Sequence, residues 1–138
     1  MPPPEEDRQS VQKQLDVLAG RQFIQFAVAV GVRLDLRGSP RFEITADCPI
    51  KVARPDGTVW AGEPRSVEAL QELLALLMGY VSTVTVEADG GLTIRFATGA
   101  SILVPPDDQY EAWQVRGDNG LLVVCTPGGG LAEWSPST

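Results

Sequence analysis

Arg21–Gly38, RQFIQFAVAVGVRLDLRG, is the stretch on which the fold turns. Ile24, Phe26 and Val28 alternate with smaller or polar residues. Val32, Leu34 and Leu36 then alternate against Arg33, Asp35 and Arg37. A period of two is the signature of a strand with one buried face, so the stretch predicts two strands joined by a turn near Val30-Gly31. A lone hairpin is only marginally stable in water, and the chain on either side has to supply the rest. Downstream, Gly38-Ser39-Pro40 makes a second turn, and Arg41–Ala46 alternates again through Phe42 and Ile44, giving a three-stranded antiparallel meander. Upstream, Val11, Leu15 and Leu18 recur at intervals of four and three behind an acidic start at Glu5, Glu6 and Asp7. That pattern predicts a helix ended by Gly20. Short strands at Ile50–Val52 and Thr58–Trp60 follow, joined across Pro55-Asp56-Gly57.

The same order then recurs. Ser66 is suited to cap a helix whose Val67, Leu70, Leu73, Leu74, Leu77 and Met78 form a wide apolar face, with Gly79 at its end. After Tyr80 come alternating segments at Val84–Val86, Leu92–Phe96 and Ile102–Val104, separated by Asp89-Gly90-Gly91 and Thr98-Gly99. An offset of 60 carries Ile24 to Val84, Phe26 to Val86, Val32 to Leu92, Leu34 to Ile94, Leu36 to Phe96, Phe42 to Ile102 and Ile44 to Val104. An offset of 59 carries Val11 to Leu70, Leu15 to Leu74 and Gly20 to Gly79. The expected fold is therefore α+β: two helices and about nine or ten short, mainly antiparallel strands, in a duplicated helix-plus-β-meander unit. Residues 1–138 read as a single domain, with a loose N-terminus at 1–4, a first pseudo-repeat over 5–65 and a second over 66–138. One curved sheet and two packed sheets both remain open at this point.

The second unit closes with Asp107–Trp134, DDQYEAWQVRGDNGLLVVCTPGGGLAEW, which holds two of the three Trp. A strand is expected from Glu111 to Val115, a tight turn at Asp118-Asn119-Gly120, a buried strand over Leu121–Cys125, and a last strand at Leu131–Trp134. Pro127-Gly128-Gly129-Gly130 lacks the helix, Lys and Ser or Thr of a phosphate-binding loop, so it reads as a turn. Val104–Asp107, Tyr110–Trp113, Val123–Cys125 and Pro127–Trp134 together resemble the closing pattern V-P-P-D-x-x-Y-E-A-W … P-G-G-x-L-A-x-W of a functionally uncharacterised family of small bacterial proteins. The resemblance extends more weakly back to Leu73. It brings no catalytic residues with it, and it implies a neighbourhood of toxin genes.

Composition narrows the chemistry. The chain has no histidine, which removes His-based acid–base and nucleophile systems and the commonest zinc ligand. Cys48 and Cys125 sit in or beside apolar runs and are expected to be buried free thiols, not a disulfide. No cofactor, metal site or catalytic residue is expected, and the carboxylates form no selected acid–base pair. Residues 1–65 carry nine acids and nine bases, whereas 66–138 carry nine acids against Arg95 and Arg116, so the whole −7 lies in the second half. That field disfavours nucleic acid and suits a basic protein partner. No apolar run is long enough for a membrane, the start is not a secretory signal, and Arg outnumbers Lys nine to two, as in a GC-rich bacterium. A cytoplasmic protein follows.

The expected function is a non-enzymatic protein-binding domain, an immunity-type or antitoxin-like inhibitor that offers an acidic face to a basic partner. Tyr110, Glu111, Asp118, Glu133 and Trp134 are the candidate contact residues, while Trp113 is expected in the core. Two alternatives stand beside it: a structural or adaptor domain that forms a homodimer through a strand edge, and a small-molecule-binding domain with a pocket between the two units.

Overall fold

A computed structural model describes residues 1–136. In chain order the elements are α1 (Glu5–Leu15), a 3-10 turn (Asp16–Leu18), β1 (Phe23–Val28), β2 (Val32–Leu36), β3 (Phe42–Ala46), β4 (Ile50–Ala53), β5 (Val59–Gly62), α2 (Val67–Leu76), β6 (Val81–Val86), β7 (Leu92–Phe96), β8 (Ser101–Val104), β9 (Trp113–Gly117), β10 (Leu122–Cys125) and β11 (Leu131–Trp134). The class is α+β, and every strand pairing is antiparallel. Eleven strands are present among the described residues, slightly more than the nine or ten expected.

The strands form two sheets, and the chain exchanges hairpins between them. One sheet has the order β1-β2-β3-β9-β10-β11 and the other β5-β4-β8-β7-β6. The meander of the first half thus receives strands from the second, and the meander of the second half receives β4 and β5 from the first. Inward residues of both sheets, among them Leu34, Ile44, Trp113, Val115, Ile94 and Ile102, belong to one buried cluster that also takes in Val11, Leu15 and Leu73 from the helices. The alternation read from sequence sets these faces. Which strands become neighbours is decided by pairings distant in the chain.

The pairing registers relate the halves differently from the uniform offset expected. Phe26 pairs with Leu34 as Val84 pairs with Ile94, and both hairpins have an irregularity at the same place, between Phe23 and Gln25 and between Val81 and Thr83. Leu34 pairs with Ile44 as Ile94 pairs with Ile102. The matching offsets are therefore 58 for the first strand, 60 for the second and 58 for the third, since the intervening loops differ by two residues in opposite senses. Gly117 N–H donates to Leu121 O and Gly120 N–H to Gly117 O, as Arg54 N–H donates to Thr58 O and Gly57 N–H to Arg54 O, an offset of 63.

The helices also follow 58, not 59. Val11, Leu15 and Leu18 are buried, and so are Ala69, Leu73 and Leu76, while Leu70 and Leu74 are exposed. The wide apolar face expected for α2 is consequently split: one row enters the core and another faces outward. The Ser66 hydroxyl accepts the Ala69 N–H at 3.1 Å, as a cap should. At the other end, Met78 rather than Gly79 takes the left-handed conformation, at φ 73°, where the first half has Gly20 at φ 86°.

A reciprocal set of hydrogen bonds holds that strained residue. Gly20 N–H donates to Val81 O and Met78 N–H to Phe23 O, each at 2.7 Å. Phe23 N–H donates to Gly79 O and Val81 N–H to Arg21 O, each at 2.8 Å, around a bridge between Gln22 and Tyr80. The first four residues are not a loose end either: Pro3 is buried, and the Met1 ammonium donates to Gly128 O at 2.7 Å.

Candidate functional site

The sequence candidates are dispersed by the fold. Tyr110 and Glu111 lie in the loop 105–112 before β9; Glu111 does not belong to that strand, which starts only at Trp113. Asp118 follows the far end of β9, about 17 Å of strand away. Trp134 pairs with Leu122 and so lies toward the Asp118 end of its sheet. It is exposed there, on the same row as Arg116, Glu43 and Asp35. Asp118 is tied to the neighbouring loop, because its carboxylate accepts the Arg41 N–H at 3.0 Å.

Glu133 is engaged within the chain. It is half-buried and accepts the Ser10 hydroxyl of α1 at 2.9 Å, while its Oε2 is buried without a partner. Period two explains this: Glu133 shares its face with Leu131, which packs on the core. Only Tyr110 and Glu111 remain together in an acidic setting.

That setting is built by two loops. Asp47 N–H donates to Ala112 O, and the Cys48 thiol lies 3.8 Å from Glu111 O, so the segment between β3 and β4 rests on the segment before β9. Asp107 shapes the second loop by accepting the N–H groups of Gln109 and Tyr110 at 2.8 and 3.0 Å, and Tyr110 is left exposed. Burial pushes the Cys48 thiol above its ordinary pKa, and Asp107, Asp47 and Glu63 add to the shift in that order. All three carboxylates act on the thiol in one direction, and the exposed Tyr110 stands next in the chain to Glu111, whose carbonyl the thiol approaches. Asp47 and Glu63 come from the first half of the chain, which the charge count had set at net zero; sequence reasoning missed them because their proximity depends on the crossed hairpins.

The other end of the larger sheet is electrically mixed. Asp35 is fully buried on its outer face between Arg33 at 3.0 Å and Arg41 at 3.3 Å. Glu43 stands opposite Arg116 on the neighbouring strand. Arginines offset the carboxylates here, so this face has no excess of negative charge to offer a basic partner.

Neither thiol is poised for chemistry. Both cysteines are free and buried, and burial raises the Cys125 pKa to about 11, which leaves it protonated near neutrality. Trp113 is 1% exposed, and its Nε1–H donates to Gly90 O at 3.0 Å, so it belongs to the core and lines no open cleft. Gly128 and Gly129 take φ of 88° and 96° in a tight turn in which Gly129 N–H donates to Thr126 O. A Cβ on Gly129 would stand 2.2 Å from Asp89 O, so close backbone approach accounts for this glycine. No group of three or more Cys, Asp or Glu able to hold a metal ion occurs among the described residues, and no helix of the structure is long and apolar enough to cross a membrane.

A family model described as a family of unknown function, DUF6188, matches residues 4–135, nearly the whole chain. The chain belongs to DUF6188. The match takes in both helices, both sheets and the acidic loops of this DUF6188 protein, so the architecture above is that of one family unit. No curated protein and no solved structure matches the chain.

Proposed function

We propose that this DUF6188 protein is a non-enzymatic protein-binding domain of the bacterial cytoplasm, an immunity-type or antitoxin-like inhibitor. Its contact surface is the acidic end around Tyr110 and Glu111, and its partner is a basic protein. The observation that supports this reading is the convergence of Asp47, Glu63 and Asp107 on Cys48, whose thiol approaches the Glu111 carbonyl next to the exposed Tyr110. Tyr is among the residues enriched at interface hot spots, and complementary charge steers encounter and fixes register.

The test is a pull-down from the native cell with Glu111→Lys and Asp107→Lys variants, using Asp118→Lys as the distal comparison. A basic partner should be captured by the wild type and released as salt rises, and lost with the first two variants only. Capture reduced as strongly by Asp118→Lys would sink the acidic-end reading.

A duplicated origin for the two halves belongs to the same proposal. The matched hairpin registers, the shared irregularity and the reciprocal bonds around Gln22 and Tyr80 support it. In this reading each half retains its helix and meander and donates its following hairpin to the other sheet.

A further inference from the structure

The matched halves differ on the solvent-side rows of their helices. With the offset of 58, Gln9, Gln12 and Asp16 of the first half correspond to Val67, Leu70 and Leu74 of the second. The three apolar residues are 67%, 42% and 64% exposed, and the patch continues into Met78 (50%) and Tyr80 (56%). In the first half, Gln12 closes the edge of β6: its Nε2 donates to Val84 O and its Oε1 accepts the Val86 N–H, both at 2.8 Å. Leu70 supplies no such bonds to β1. Phe26 and Val28, the counterparts of the buried Val84 and Val86, remain only partly buried at an open sheet edge.

We propose that this face of α2, with the adjoining edge of β1, is a homodimer interface, and that a second copy of the chain covers it. Val67, Leu70 and Leu74 recur at intervals of three and four, the narrow seam by which one helix packs on another. An antiparallel pair of α2 helices, with a two-fold axis between Leu70 and Leu74, would set each seam on its own copy. The five side chains expose on the order of 500 Å², so two copies would cover roughly 1,000 Å² before backbone is counted, near the lower bound of about 1,200 Å² for stable interfaces.

Charge selects a second copy over a basic partner. β1 carries no charged residue and the α2 seam none, so a basic protein gains nothing here, whereas two chains of net −7 can approach through an uncharged surface. The dimer should therefore tighten as salt rises, because screening relieves the repulsion between like-charged copies. The acidic-end interaction has the opposite dependence, so the failure of one proposal is distinguishable from the failure of the other.

The experiment is sedimentation equilibrium of the full chain across a dilution series at low and high salt. The comparison is a Leu70→Gln, Leu74→Asp double variant, which copies onto α2 the residues that α1 and the 3-10 turn after it carry at the matching positions, Gln12 and Asp16. The wild type should dimerise more tightly in high salt, and the double variant should weaken dimerisation at least roughly tenfold. Circular dichroism and thermal melting verify that the variant folds; should it not, Leu74→Asp alone decides. A wild type that stays monomeric in high salt, or a dimer whose affinity the folded variant leaves unchanged, overturns the proposal. So does a monomer that captures a different protein through this face and loses it in the variant.

Discussion

The edge of β6 under α1 and the edge of β1 beside α2 occupy matching places in the two halves, yet they solve the same problem differently. Edge strands present unpaired N–H and C=O groups that must be capped, covered or kept soluble. At β6 a single side chain, Gln12, caps one of each, and Val84 and Val86 beneath it are 2% and 3% exposed. At β1 the matching position is Leu70, and no side-chain bond reaches Phe26 or Val28 among those of the described residues. The polar solution closes the edge within the chain, whereas the apolar one leaves it open to an outside partner. A matched pair of hairpins thus carries a finished surface on one side and an unfinished one on the other, and the difference rests on a few side chains.

Substitutions at matched positions test how far the two halves differ. The largest effect should come from Trp113, which fills the core where the first half has Ile50: Trp113→Ala should cost about 3–5 kcal/mol, read as a lowered denaturant midpoint. Next is the pH dependence of Cys125, whose counterpart at offset 63 is Gly62. Its folded pKa, about 11, lies above the ordinary 9.0, so between these values the unfolded thiol ionises while the folded one stays protonated. The unfolded state binds fewer protons there, and stability should fall as pH rises from 9.0 to about 11 and then level off; urea titrations should show a flatter profile for Cys125→Ala.

Gln12→Leu imposes the α2 solution on the α1 edge. It should cost about 1–3 kcal/mol and speed amide exchange at Val86, because Val84 O and Val86 N–H lose their partner. A variant with unchanged exchange at Val86 would show that Gln12 does not close this edge. The smallest effect concerns the helix ends. Met78→Gly places at φ 73° the residue type that Gly20 supplies at φ 86°, and should raise stability by about 0.5–1 kcal/mol in a thermal melt run on the dilute protein.

Much of this was legible in the chain. Alternation in FIQFAV, VRLDL and FEITA placed three strands and the inner faces of the second and third, while the irregularity between Phe23 and Gln25 puts Phe23 rather than Ile24 in the core. Pro55-Asp56-Gly57 and Asp118-Asn119-Gly120 placed two of the turns. Trp113 in the core and two free buried thiols were also within reach, since large apolar and sulfur-bearing side chains in alternating runs have few other places to go. The candidate site was less legible. Glu133 reads as a surface acid until the strand's phase turns it toward Leu131 and α1, and Leu70 and Leu74 read as core until the helix is rotated by the contacts that bury Ala69 and Leu76.

Local physics acts over a few residues, so the chain alone carries the order of helices and strands, most of their turns, the buried thiols and an excess of negative charge in the second half. The pairing of β9 with β3 and of β4 with β8 comes from contacts distant in the chain, because a period-two pattern states which face is buried and is silent about which strand lies alongside. From that exchange come the crossed loops that bring Asp47 and Glu63 to Asp107, and the edge beside α2 that the chain itself leaves uncapped.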